Sequence, residues 1–178
     1  KDQVDKYEPG LFKVETADVS DVASLIKNMR DVERWVDAVG WAVAFQIGKA
    51  KKVGRKHLDV NIEDLIAVSA IRLFAKEFYF AIYTCADKLF LPRNARQNGV
   101  WLREFLIKSS DAEMCEMCEQ FLARRLKFII YGTVGDAEAF GTYKGANQID
   151  LREYKMCVCR FFPNYFCGIN ADIPGRDA

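Results

Sequence analysis

Apolar residues recur through the first third of the chain at steps of mostly three and four: Val22, Leu25, Ile26, Met29, Val32, Val36, Val39 and Val43. Lys27, Arg30, Asp31, Glu33, Arg34 and Asp37 fall mainly between them. Such a period belongs to an amphipathic helix, predicted here from near Ser20 to near Gly48. After Gly40 the run WAVAFQIG is apolar on nearly every side, so the helix either enters a covered environment there or restarts after a bend. A second stripe runs through Leu65, Val68, Ile71, Ala75, Phe78, Ile82, Cys85 and Leu89, widened by Leu73, Phe74, Tyr79 and Phe80. Asn61 can cap it with Asp64 three residues on, and Pro92 stops it. So wide an apolar face predicts a central helix over residues 62 to 91.

The pattern weakens beyond Pro92. PRNARQNG, residues 92 to 99, reads as a turn-rich connection, and WLREFLIK after it as a short helix. Ser110 and Glu113 make a capping box for a helix running to Tyr131 and closing at Gly132. Residues 132 to 149 carry four glycines and no sustained period, which predicts a loop with at most one helical turn near Ala137. Asp150 and Glu153 repeat the capping pattern, and Leu151, Tyr154, Val158 and Phe161 favour a last helix ending at Pro163, although the alternation in YKMCVCRF also fits a strand. Residues 1 to 18 and 168 to 178 read as extended arms. The expected fold is all-α: one domain over residues 1 to 178, an irregular bundle of about five helices with an arm at each end.

A chain of 178 residues with 51% hydrophobic and 29% charged side chains can close a core without covalent help. Its 26 basic and 25 acidic side chains give a net charge of +1, so no global field draws it to nucleic acid or an anionic membrane, and such a partner needs a local patch. The sequence starts at Lys1, and KDQVDKYEPG has neither a basic nor an apolar leader region. The most apolar stretch, Leu65 to Leu91, contains Arg72, Lys76, Glu77, Asp87 and Lys88, a load that a membrane-spanning helix rarely accepts. The expectation is a soluble protein with no membrane insertion, in a reducing intracellular compartment.

The six cysteines are the obvious chemical candidates. Cys115 and Cys118 form a CxxC, with Cys157 and Cys159 as conceivable further ligands of a four-sulfur zinc site. However, EMCEMCEQ falls inside a capped helix, where sulfurs three residues apart share one face with Phe121, Leu122 and Ile129. Asp111, Glu113, Glu116 and Glu119 surround the pair, and negative charge favours the protonated thiol over a redox-active thiolate. The six are therefore expected to be reduced, mostly buried packing residues, with Cys159 the one leaning toward solvent and with no metal or cofactor implied. The single histidine, His57, sits in a basic run without an orienting carboxylate beside it. Nucleotide-loop, hydrolase-elbow and zinc-protease motifs are absent from the sequence.

Two surfaces remain as candidates. KAKKVGRKH gathers Lys49, Lys51, Lys52, Arg55 and Lys56, with Arg93 and Arg96 as later cations, and phosphate-binding surfaces are built from such clusters. Trp35, Trp41, Phe45, Trp101, Phe161, Phe162, Tyr165 and Phe166 add aromatic surface beyond what one core is expected to hide, and surplus aromatics mark interfaces, Trp35, Trp41, Phe161, Phe162, Tyr165 and Phe166 first among them. The leading expectation is a non-catalytic helical interaction or assembly protein that packs against other chains, chiefly copies of itself. The alternative is an RNA-coating, nucleocapsid-like protein using the 49–57 loop. A small enzyme using His57 or a cysteine comes third.

Overall fold

A computed structural model of the chain describes residues 17–84, 86–90, 111–131, 140–143, 155–157 and 159–166. Apart from Ala17 and Asp18, the expected arms lie outside the described residues. The 92–99 connection with Arg93 and Arg96, the WLREFLIK helix, Cys85 and Cys167 lie outside them as well.

The described chain is mainly helical, as the periodicity implied. A 3-10 helix, Ser20–Leu25, precedes α1, Met29–Lys52. α2 spans Ile62–Phe74, α3 Lys76–Thr84, α4 Ala86–Phe90 and α5 Ala112–Arg125. Strands β1, Phe128–Tyr131, and β2, Phe140–Tyr143, form an antiparallel ribbon in which Phe128 faces Tyr143 and Tyr131 faces Phe140.

Several boundaries depart from expectation. The first helix is split because Asn28, in extended geometry, accepts from the Asp31 N–H at 3.0 Å while the Asp31 carboxylate accepts from the Lys27 N–H at 3.2 Å. This reciprocal cap starts α1 at Met29, and the helix then passes Gly40 unbroken to Lys52, beyond the expected end at Gly48. Asn61 caps α2 as expected, accepting from the Asp64 N–H at 3.3 Å. The anticipated single helix to Pro92 breaks at Ala75, whose φ and ψ of −132° and 55° are not helical. No glycine or proline marks that break; it lets Phe78 and Tyr79 turn into the core, where Phe78 meets Phe121 edge-on and Tyr79 meets Phe166.

α5 is capped by Asp111 rather than Ser110, and it stops at Arg125 instead of Tyr131. Lys127 takes a left-handed φ of 55°, and the β-prone FIIY then becomes a strand whose partner, FGTY, falls in what read as loop. The expected last helix is also corrected. Its described residues between Met156 and Phe161 are turns, followed by a 3-10 helix at Phe162–Tyr165 with Pro163 in its first turn.

α2 forms the centre of the fold, with all eight residues from Asp64 to Ile71 buried. A helix buried on every side must satisfy its polar groups internally. The Arg125 guanidinium, enclosed at the end of α5, donates to both Asp21 oxygens at 2.8 and 2.7 Å, to Asp64 Oδ1 at 3.3 Å and to the Asp18 carbonyl. Asp64 Oδ2 accepts from the Met156 N–H at 2.8 Å. The buried Tyr165 hydroxyl accepts from the Asn61 N–H at 2.7 Å. One polar knot thus ties the 3-10 helix, α2, α5 and the 155–166 segment together.

Candidate functional site

α1 exposes what the rest of the fold hides. Met29, Val32, Val36, Val39, Val43, Gln46 and Ala50 follow one another at alternating steps of three and four, so they lie along one stripe. Its far end enters the core: Gln46 and Ala50 are buried, and Val43 packs, partly buried, against the core. Its near end does not. No residue between Met29 and Trp41 is buried; Met29 is 73% and Val36 62% exposed, and Val32 and Val39 are half-buried. Trp35 anchors this half of the helix by donating from Nε1 to the Ile66 carbonyl at 3.0 Å.

About half a helical turn away from that stripe stand Trp41 and Phe45. Their rings stack at 5.6 Å between centroids and are 48% and 43% exposed, so WAVAFQIG is not covered on all sides. Arg72 of α2 lays its guanidinium 4.9 Å from the Trp41 ring. Phe45 is one of the surplus aromatics of the sequence, whereas nothing in the sequence joins Arg72 to them. Spacing at i and i+4 puts the two rings together, but only the crossing of α1 and α2 brings the guanidinium.

The basic run closes α1. Gly54 takes φ 67°, its N–H donates to Lys51 O at 3.1 Å, and the Arg55 N–H reaches back to Ala50 O at 2.9 Å, which is a Schellman cap. The lysines of the last turn therefore sit at the negative end of the helix dipole. Lys49 Nζ donates to Asn164 Oδ1 at 2.8 Å, Arg55 pairs with Asp59, and His57 Nε2 lies 3.9 Å from the same carboxylate. Lys51, Lys52 and Lys56 are exposed. Between these groups is a cleft of about 270 Å³ lined by Gln46, Lys49, Ala50, Val53, Arg55, Asp59 and Asn164.

The expected aromatic interface divides. Phe161, Phe162, Tyr165 and Phe166 are buried, with Phe166 against Tyr79, Tyr83 and Phe162 and with Phe162 against Phe90. These four rings are consumed by the chain's own core. Trp35 is half-buried, Trp41 and Phe45 are exposed, and Trp101 lies outside the described residues.

Cys118 and Cys157 are buried, Cys115 is partly so, and Cys159 is exposed; they form no disulfide with one another. Burial pushes the Cys118 thiol well up, with Cys115 and Glu119 adding to the shift. Burial, then the Asp64 charge, pushes Cys157 to about 11. Both are held as poor nucleophiles. Among the described residues no three His, Cys, Asp or Glu side chains converge as metal ligands, so Cys115, Cys118, Cys157 and Cys159 are not brought together. Burial also raises the Asp64 carboxyl, opposed by the Met156 N–H and the Arg125 charge, but this enclosed carboxylate is fully engaged in the polar knot. Among the described residues no helix is long and apolar enough to cross a membrane. No protein-family model, curated protein or solved structure matches the chain, so a functional reading rests on the surface of α1 itself.

Proposed function

We propose that this chain is a non-catalytic assembly protein that packs against other protein chains, chiefly copies of itself, through the first three turns of α1. The observation that supports this reading is the stripe of Met29, Val32, Val36 and Val39, which runs out of the core along an otherwise well-formed helix. Alternating three- and four-residue steps are the spacing at which one helix packs along another. Burying each such side chain is worth about 1.5–3 kcal/mol. Two copies meeting face to face would bury Met29 and Val36 twice over, on the order of 6–12 kcal/mol against an association cost of similar size. The seam therefore suits a reversible, concentration-dependent assembly.

Sedimentation velocity across a hundredfold range of protein concentration tests this. The average mass is expected to rise with concentration for the unaltered chain. Met29→Glu/Val36→Glu should remain monomeric, or at least tenfold weaker in self-association, with its urea midpoint unchanged. A chain that stays monomeric throughout, or a double variant that assembles normally, sinks the reading.

A further inference from the structure

We propose that the Trp41–Phe45 side of α1, continued by the lysines of its last turn, binds single-stranded nucleic acid. From Ala38 to Leu58 the sequence holds no Asp or Glu, yet it contains Lys49, Lys51, Lys52, Arg55 and Lys56. A chain of net charge +1 thus concentrates a patch of one sign on a single helix end. The nearest carboxylates are Asp37, on the N-terminal side, and Asp59, which holds Arg55 and faces His57. Lys52 and Lys56 are exposed with no ion pair among the described residues.

Exposed aromatic surface beside one-sign cationic charge is the combination that grips a single strand: a base stacks on a ring while the cations neutralise phosphates. Trp41 is flanked by Phe45 and by Arg72, so it backs Phe45, the ring that a base would meet. Phe45 lies one turn before Lys49 and about two before Lys52, so stacking and charge follow each other along the helix. From Trp41 to Lys52 the strip is about 16 Å long, roughly five stacked nucleotides at 3.4 Å each. A duplex is a poor occupant, because its bases are already stacked.

The test is fluorescence anisotropy with a labelled 12-mer of oligouridylate at 50 and 200 mM salt, with the matched RNA duplex and polyglutamate as competitors. The unaltered chain should bind the oligouridylate and weaken as salt rises. Trp41→Ala/Phe45→Ala should weaken binding about tenfold or more at either salt, from lost stacking. Lys51→Gln/Lys52→Gln/Lys56→Gln should flatten the salt slope by about two, at roughly 0.7 per phosphate contact. All five positions are exposed, and an unchanged urea midpoint confirms folding. Absent binding at 50 mM salt, or binding indifferent to both variants, overturns the proposal. Competition by polyglutamate as strong as by unlabelled oligouridylate overturns it in favour of an acidic protein partner, and equal competition by the duplex removes the stacking role. Because Met29 and Val36 are untouched, self-association should persist in every variant, which separates this outcome from failure of the assembly reading.

Discussion

The residue on which most of the architecture converges is Arg125. Its charge is shared by two buried aspartates from distant parts of the chain, and neither can be solvated in its place. Removing one partner of a buried ion pair typically costs about 3–5 kcal/mol, because the remaining charge stays buried. Arg125→Met should therefore lower the urea-unfolding free energy by about that amount, with Asp21→Asn/Asp64→Asn in the same background recovering part of it. Its neighbour Arg124 also contacts Asp18 and Ser20, but in partly exposed surroundings. Arg124→Ala should cost less than about 1 kcal/mol. Equal losses for the two arginines would mean that the buried knot contributes no more than a surface bridge. No local pattern announces this knot: Asp21 looks like a helix-start charge, Asp64 like a capping neighbour, and Arg125 like one of two arginines on a helix. Their meeting depends on chain separations of 104 and 61 residues.

At the scale of elements, the sequence was most legible where a local rule acts alone. Asn61 caps α2 as its side chain suggests, and the run from Leu65 to Ile71 is as enclosed as its apolarity implies. It was least legible where tertiary packing overrides local preference, as at Ala75, a strong helix former that sits at a break. Phe161 and Val158 have helical spacing, yet the described part of that segment follows a turning path set by the Met156 bond to Asp64 and by Pro163. Two helix ends offer a paired test. At Gly54, φ 67° leaves open space around a would-be Cβ, so Gly54→Ala should lose about 1–2 kcal/mol from backbone strain alone. At Lys127, φ 55° imposes that strain on a side chain, so Lys127→Gly should gain up to about 1 kcal/mol after glycine's extra entropy cost. Urea unfolding measures both, and a stabilising Gly54→Ala or a destabilising Lys127→Gly would contradict the account of these caps. For the candidate surface, the helical stripe and the basic run were readable from spacing, whereas the division between exposed Trp41 and buried Phe161, Phe162, Tyr165 and Phe166 was not. Composition reports a surplus of aromatics without saying which of them the core takes.

At the scale of the whole molecule, the 155–166 segment closes a core begun far upstream. It supplies the Met156 N–H to Asp64, the Tyr165 hydroxyl to Asn61, and Phe162 and Phe166 to the aromatic cluster of α3 and α4. A chain ending at residue 150 should therefore lack a cooperative unfolding transition and bind ANS while keeping much of its helical circular dichroism. A wild-type urea midpoint in that truncated chain would show the segment to be dispensable. The timing of synthesis then acquires a meaning. At about 5–20 residues per second, the roughly 100 residues between Asp64 and Tyr165 emerge over about 5–20 s. Until Arg125 and then Met156 emerge, the nascent α2 exposes a wide apolar face and a carboxylate without its partners. This chain spends its most aggregation-prone seconds on the ribosome, waiting for its last aromatic turn.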